Sequence, residues 1–260
     1  MGHNTLGVLP RSRHWQDVVR LLDAGAADSE VVAASARAAE KDMLAAADDP
    51  VFVEAVRLLL NIPLAARSDD FGQALRNIGL PVHHRPELLD LVAAVAERLD
   101  AVRRETRTRS DFGEIAARAL TSTLTIAIGD ALPGLFGATP DDVQAVARKM
   151  SWAKGISGFS REFFGTLVSG TLSYWLDRTL ALQVGEGRRF PTTTDRNAFD
   201  RELDQYSSEA TRIIKEFSSG WYGKTLHREG GFRTKDATIF GAVAMKKTVA
   251  ELRARSMIDG

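Results

Sequence analysis

The chain contains no cysteine. Disulfides, thiolate nucleophiles, cysteine zinc sites and cysteine lipidation are therefore excluded. Net charge is absent as well: 34 Lys and Arg balance 34 Asp and Glu. A dedicated nucleic-acid binder draws its affinity from a basic excess, so the balance disfavours that role while leaving room for a local patch. Long apolar runs are missing. The longest uncharged stretches, 119–129 and 163–176, fall short of the roughly 20 residues that a membrane-spanning helix needs. Both read as buried core. The amino terminus, MGHNTLGVLPRSRHW, has no basic segment followed by an apolar one, and Leu6 stands where myristoylation favours Ser or Thr. The expected location is the cytoplasm.

Chemistry is equally sparse. The histidines are His3, His14, His83, His84 and His227. His83 and His84 are adjacent rather than four apart, so they do not share a helix face for a metal. The carboxylate pairs Asp48-Asp49, Asp69-Asp70 and Asp141-Asp142 all precede or open helices, where capping explains them without acid–base catalysis. No serine lies in a nucleophile elbow. The expectation is a non-enzymatic protein with no cofactor and no metal.

What is present is helical periodicity. The stretch 160–185 is the organising element. Its apolar residues recur in pairs four apart: Phe163/Phe164, Leu167/Val168, Leu172, Trp175/Leu176 and Leu180. Ser160 reads as its N-cap and Gly185 as the residue after its end. Gly165, Ser169 and Ser173 form a second face of small residues, a candidate close-packing interface. Residues 111–185 carry 6 Lys/Arg and 7 Asp/Glu, against 14 and 11 over 186–260, so the middle of the chain is expected to be the hidden part.

The pattern elsewhere predicts an all-α bundle of nine or ten helices. An N-terminal helical region spans 1–110, buried central helices 111–185, and a C-terminal helical subdomain 186–260. Two helices before residue 48 join at Gly25. A helix-turn-helix would use the same turn, but the second helix opens with Asp28 and Glu30, the wrong charge to meet phosphates. Asp49-Pro50 starts a helix that Pro63 should end or bend. Residues 120–128 alternate like a strand, but a lone strand has no partner, so helix is expected. Thr139-Pro140-Asp141-Asp142 is a strong start signal. Gly155 and Gly158 are expected to hinge the chain into the central helix. One long helix is expected over 197–217, then a glycine-rich loop over 218–235, then a last helix from Asp236.

Two clusters stand out as candidate contacts. Arg103, Arg104, Arg107 and Arg109 end one helix. Cations there complement the helix dipole, and the alternative is a phosphate or acidic partner. The 218–235 stretch places Lys224, His227, Arg228, Arg233 and Lys235 beside Trp221, Tyr222 and Phe232, a combination suited to an acidic segment, a phosphate or a single strand. Gly223-Lys224-Thr225 resembles the end of a phosphate loop, but Ser218 replaces the first glycine and a helix precedes it where a strand is needed. The reading that results is a helical adaptor or subunit of a larger cytoplasmic complex of bacterial type, which binds a protein partner or itself. A membrane-acting protein that releases segments 119–136 and 156–184 is the first alternative, opposed by Asp130, Asp177 and Arg178 within them. A nucleic-acid-binding accessory protein is the second.

Overall fold

The structure is a computed structural model that describes residues 12–107, 110–134 and 138–257. It is all-α: eleven α-helices and two short 3₁₀ turns, with one isolated bridge between Val184 and Phe190 and no strand among the described residues. In chain order the helices are α1 (Arg13–Asp23), α2 (Asp28–Ala45), α3 (Pro50–Ala65), α4 (Phe71–Asn77), α5 (Leu88–Thr106), α6 (Asp111–Gly129), α7 (Pro140–Met150), α8 (Ala153–Leu180), α9 (Thr193–Ala210), α10 (Arg212–Glu229) and α11 (Thr234–Ser256).

Caps set most of the starts. Asp49 accepts from the N–H groups of Val51 and Phe52 at 2.9 and 3.0 Å, with Pro50 at the first helical position of α3. Thr139 and Asp142 close a reciprocal capping box on α7, and Thr192 and Asp195 do so on α9. Thr139 holds the Asp142 carboxyl below its ordinary range by hydrogen bonding. The strand-like alternation over 120–128 is absorbed into α6, because Ala116, Leu120, Leu124 and Ile128 recur every four residues and are buried. Pro63 sits in the last turn of α3 without ending it at Asn61. It deletes one backbone hydrogen bond, and burial of the surrounding turn outweighs that loss.

The central helix is longer than its N-cap signal implied. It begins at Ala153, so Ser160 is an interior, buried residue, and it ends at Leu180, followed by a 3₁₀ turn before Gly185. Gly155 and Gly158 lie inside it and make no hinge. Ile156 and Phe159 extend the buried stripe of Phe163 and Phe164 backward by two turns, and that burial carries the helix through both glycines. The helix spans about 40 Å at 1.5 Å per residue. It packs on α6, α7, α9 and α10.

The most completely buried helix is α3, in the N-terminal region. Its buried residues surround the whole helix, and α5, α6, α7 and α11 pack on it. Charge density averaged over the middle third of the chain missed this short element. Its two charges, Glu54 and Arg57, neutralise each other at 2.7 Å. Phe52 of α3 meets Phe112 of α6 and Phe164 of α8 edge-on, with ring centroids 5.4 and 6.3 Å apart. The buried residues form one continuous cluster from Trp15 to Leu252.

The helix expected over 197–217 is two helices broken at Thr211, whose φ and ψ of −90° and 3° are those of a turn. The Thr211 hydroxyl donates to the carbonyls of Ser207 and Ser208 at 3.0 Å, a back-bond that bends helices. No helix among the described residues is long and apolar enough to cross a membrane. The segments 119–134 and 156–184 instead supply α6 and α8 with their buried faces.

Candidate docking face

The stretch 218–235 is not a loop. Residues through Glu229 complete α10, and only 230–233 connect it to α11. Ile214, Ser218, Tyr222 and Thr225 recur at three and four residues and are buried, so one face holds the helix through Gly220 and Gly223. These two glycines cost about 1 kcal/mol each relative to Ala, which tertiary packing overrides. That spacing was readable, since it continues the stripe before it. Gly230, at φ 69°, ends the helix in the left-handed conformation that glycine adopts without strain. Gly223-Lys224-Thr225 therefore lies within a helix, where the backbone N–H groups serve the helix and do not cradle a phosphate.

Trp221, Tyr222 and Phe232 come together, but facing inward. Phe232 stacks on Trp221 at 6.0 Å and meets Tyr222 at 4.5 Å, and Trp221 leans on Phe240 at 4.8 Å. Tyr222 and Phe232 are buried and Trp221 is half-buried. Burial pushes the Tyr222 phenol up to about 12, and its hydroxyl donates to the Leu60 carbonyl at 3.4 Å. The trio seals the bottom of the core.

The basic candidates are exposed but partly neutralised. Arg228, Arg233 and Lys235 converge on Glu229 at 2.9, 3.3 and 3.9 Å, and the hydrogen bond from Arg228 leads in holding that carboxyl below its ordinary range. Lys224 and His227 lie exposed on the same helix. At the end of α5, Arg103 pairs with Asp100 at 2.8 Å, Arg104 is exposed, and Arg107 forms the left-handed cap at φ 53°. Arg109 lies outside the described residues. Arg103 and Arg104 sit at the carboxyl end of α5 and His227 and Arg228 at that of α10, where the helix dipole favours cations, whereas Arg233 and Lys235 lie at the amino end of α11 and are held by Glu229 instead.

The small-residue face of α8 is divided. A Cβ on Gly165 would stand 3.4 Å from Thr211 Oγ1, and the Ser169 hydroxyl donates to Asp204 of α9. Ser173 is half-buried. Much of this face is thus used within the chain. What stays open lies beside it. Gly165 and Ser169, with Ser122, Ile126, Arg161 and Asp204, line a groove of about 470 Å³ between α6, α8 and α9. Toward the start of α8 a second groove, of about 670 Å³ and mostly apolar, is lined by Ile126, Met150, Trp152, Gly158 and Phe159 among others. Ile126 and Glu162 line both, so the two grooves adjoin and together make up the channel along α6 and α8.

Trp152 stands at its edge, 58% exposed, and Ile126 is 46% exposed. One face of the indole is covered by a cation. The Arg67 guanidinium stacks over it at 4.4 Å and is itself pinned by donation from Nε to Ser151 Oγ at 2.8 Å. Gly155 lets α7 and α8 meet: a Cβ there would fall 2.2 Å from the Lys149 carbonyl oxygen. Trp152, Ile126 and Gly158 were not singled out as contact residues in the sequence. The available signal was a tryptophan placed just after a helix end and beside two glycines.

Nothing in the described residues forms a group of three or more His, Asp or Glu suited to a metal ion. His84 approaches Asp70 at 3.4 Å on the surface, and Asp141 pairs with Arg85 at 2.7 Å. The fold defines the class as an all-α multi-helical protein. No family profile, curated protein or solved structure matches the chain.

Proposed function

We propose that this is a non-enzymatic helical interaction protein, an adaptor or subunit of a larger cytoplasmic complex, and that its docking face is the channel along α6, α7 and α8. The observation that carries the reading is the exposed Trp152, oriented by the Arg67 guanidinium stacked over it, beside an apolar groove that also exposes Ile126. Large aromatics fixed in place are the side chains that dominate binding energy at protein interfaces, because little rotamer freedom is lost on docking. An apolar groove with two open large side chains is a binding surface in chemical terms: it removes partner methylene and aromatic groups from water.

A photo-crosslinking residue placed at position 152 or 126 tests this in the native host. Each should give the same discrete adduct, and the same probe at Leu89, which is 77% exposed on α5, should give none. Equal labelling from all three positions, or none from any, would refute the assigned face.

A further inference from the structure

No neighbour among the described residues accounts for Gly158. This glycine sits in the second turn of α8, exposed, and a Cβ placed on it would meet nothing among the described residues within 4 Å. An exposed glycine in a helix interior costs about 1 kcal/mol relative to Ala. Gly155 and Gly170 have close neighbours that account for them; Gly158, like Gly220 and Gly223 of α10, has none among the described residues, and unlike the Gly220 and Gly223 face it borders the apolar groove. What a bare glycine permits is the close approach of another backbone.

The charges around it are arranged symmetrically. Lys154 lies four residues before Gly158 and Glu162 four residues after, so all three share one face of α8. Neither Lys154 nor Glu162 makes an ion pair among the described residues, and both line the apolar groove. A segment running antiparallel across Gly158 with the same sequence would bring its own glutamate level with Lys154 and its own lysine level with Glu162. The same operation sets Trp152 of the second copy about level with residue 164. There it faces the part of the channel lined by Ile126 and Gly165.

Resting on the docking face assigned above, we infer that its occupant is a second copy of this chain. The two α8 helices cross antiparallel at Gly158, Lys154 of each copy pairs with Glu162 of the other, and each Trp152 enters the other copy's channel beside Ile126. Such an interface is self-complementary, as a two-fold dimer requires. One patch supplies the aromatic anchor, the groove that receives it and both signs of charge.

Sedimentation velocity over a dilution series, on the full chain, tests this. The wild-type chain should shift from one mass to twice that mass as concentration rises. Gly158→Leu fills the crossing point from a Cβ position that meets no described atom within 4 Å, and should raise the dimer dissociation constant by at least about tenfold, the factor equivalent to 1.4 kcal/mol. Lys154→Glu or Glu162→Lys alone sets like charges opposite each other and should weaken the dimer by about tenfold. The double reversal should restore it to within a few-fold, because the pairs reform with their signs exchanged. That rescue keeps the test decisive even if the leucine variant fails to fold.

A single-chain mass at every concentration overturns the dimer. So does a dimer that none of these substitutions moves, because it would form elsewhere. If the wild-type chain is monomeric but a probe at position 152 still gives a discrete adduct with a different protein, the dimer falls and the docking face stands. If both fail, both readings fall.

Discussion

Helices α3 and α8 both run through the core, and they handle glycine and charge in opposite ways. Around α3 every side is covered. Gly241 of α11 has Phe52 Cε1 only 2.8 Å from where its Cβ would be, and Gly113 of α6 has Asp49 Oδ1 at 2.7 Å. The one acidic group, Glu54, is 7% exposed and held by Arg57 and Arg98 at 2.7 Å each. Helix α8 buries Phe163 and Phe164 just as fully on one side, yet on the other, among the described residues, Gly158 faces open space and Lys154 and Glu162 have no ion-pair partner. A glycine with a close neighbour is accounted for by folding; an open glycine such as Gly158 gains meaning only from what lies beside it, here an apolar groove and two exposed charges.

The largest effect should come from the seam the two helices share. Phe164→Ala removes a ring that touches Phe52, Phe163 and Phe240, and should cost about 3–5 kcal/mol in denaturant unfolding. A loss below about 1 kcal/mol would mean that the two helices are not packed as one core.

Glu54→Gln should cost nearly as much, about 3–5 kcal/mol, because it leaves two largely buried guanidinium groups without their carboxylate. Burial pushes the Glu54 carboxyl up, but the hydrogen bonds and charges of Arg57 and Arg98 outweigh burial and hold it below its ordinary 4.5. The folded carboxyl therefore binds a proton less readily than the unfolded one. Its contribution is complete above pH 4.5 and fades as pH falls through the lower folded value. The acid limb of the stability profile should flatten in the variant, and an unchanged limb would show that the triad does not drive acid unfolding.

The two glycines then give the sharpest contrast. Gly241→Ala drives a methyl group into the Phe52 ring and should destabilise by about 1–3 kcal/mol. Gly158→Ala, measured in dilute solution where the chain is monomeric, should stabilise by about 0.5–1 kcal/mol, because it removes glycine's backbone freedom without meeting any atom. If both changes have the same sign, the distinction between the covered helix and the open face fails.

The all-α class, most helix starts and the inner stripe of α8 were legible because they depend on neighbours three and four residues away. Asp49-Pro50 and Thr139-Pro140 cap helices through hydrogen bonds spanning two or three residues, and such signals survive any tertiary arrangement. The misread stretches share one cause. Gly155, Gly158, Gly220 and Gly223 have low helix propensity, and Thr211 sits in an otherwise unbroken stripe. Propensity broke helices where packing carries them on, and periodicity joined two where a threonine back-bond divides them.

The candidate site was legible only in part. Gly165 and Ser169 were marked by spacing, and they do line the channel. Trp221, Tyr222 and Phe232 were marked by composition, which cannot tell an inward ring from an outward one. Trp152 escaped notice because its importance comes from Arg67, 85 residues earlier, which stacks upon it. By itself, the sequence determined the all-α class, most helix starts and the inner apolar stripe of α8, since these follow from contacts within one or two helical turns. Only the tertiary structure decided which glycines are explained, which cations are neutralised and which tryptophan stays in water, because those depend on distances between residues that the chain order keeps far apart.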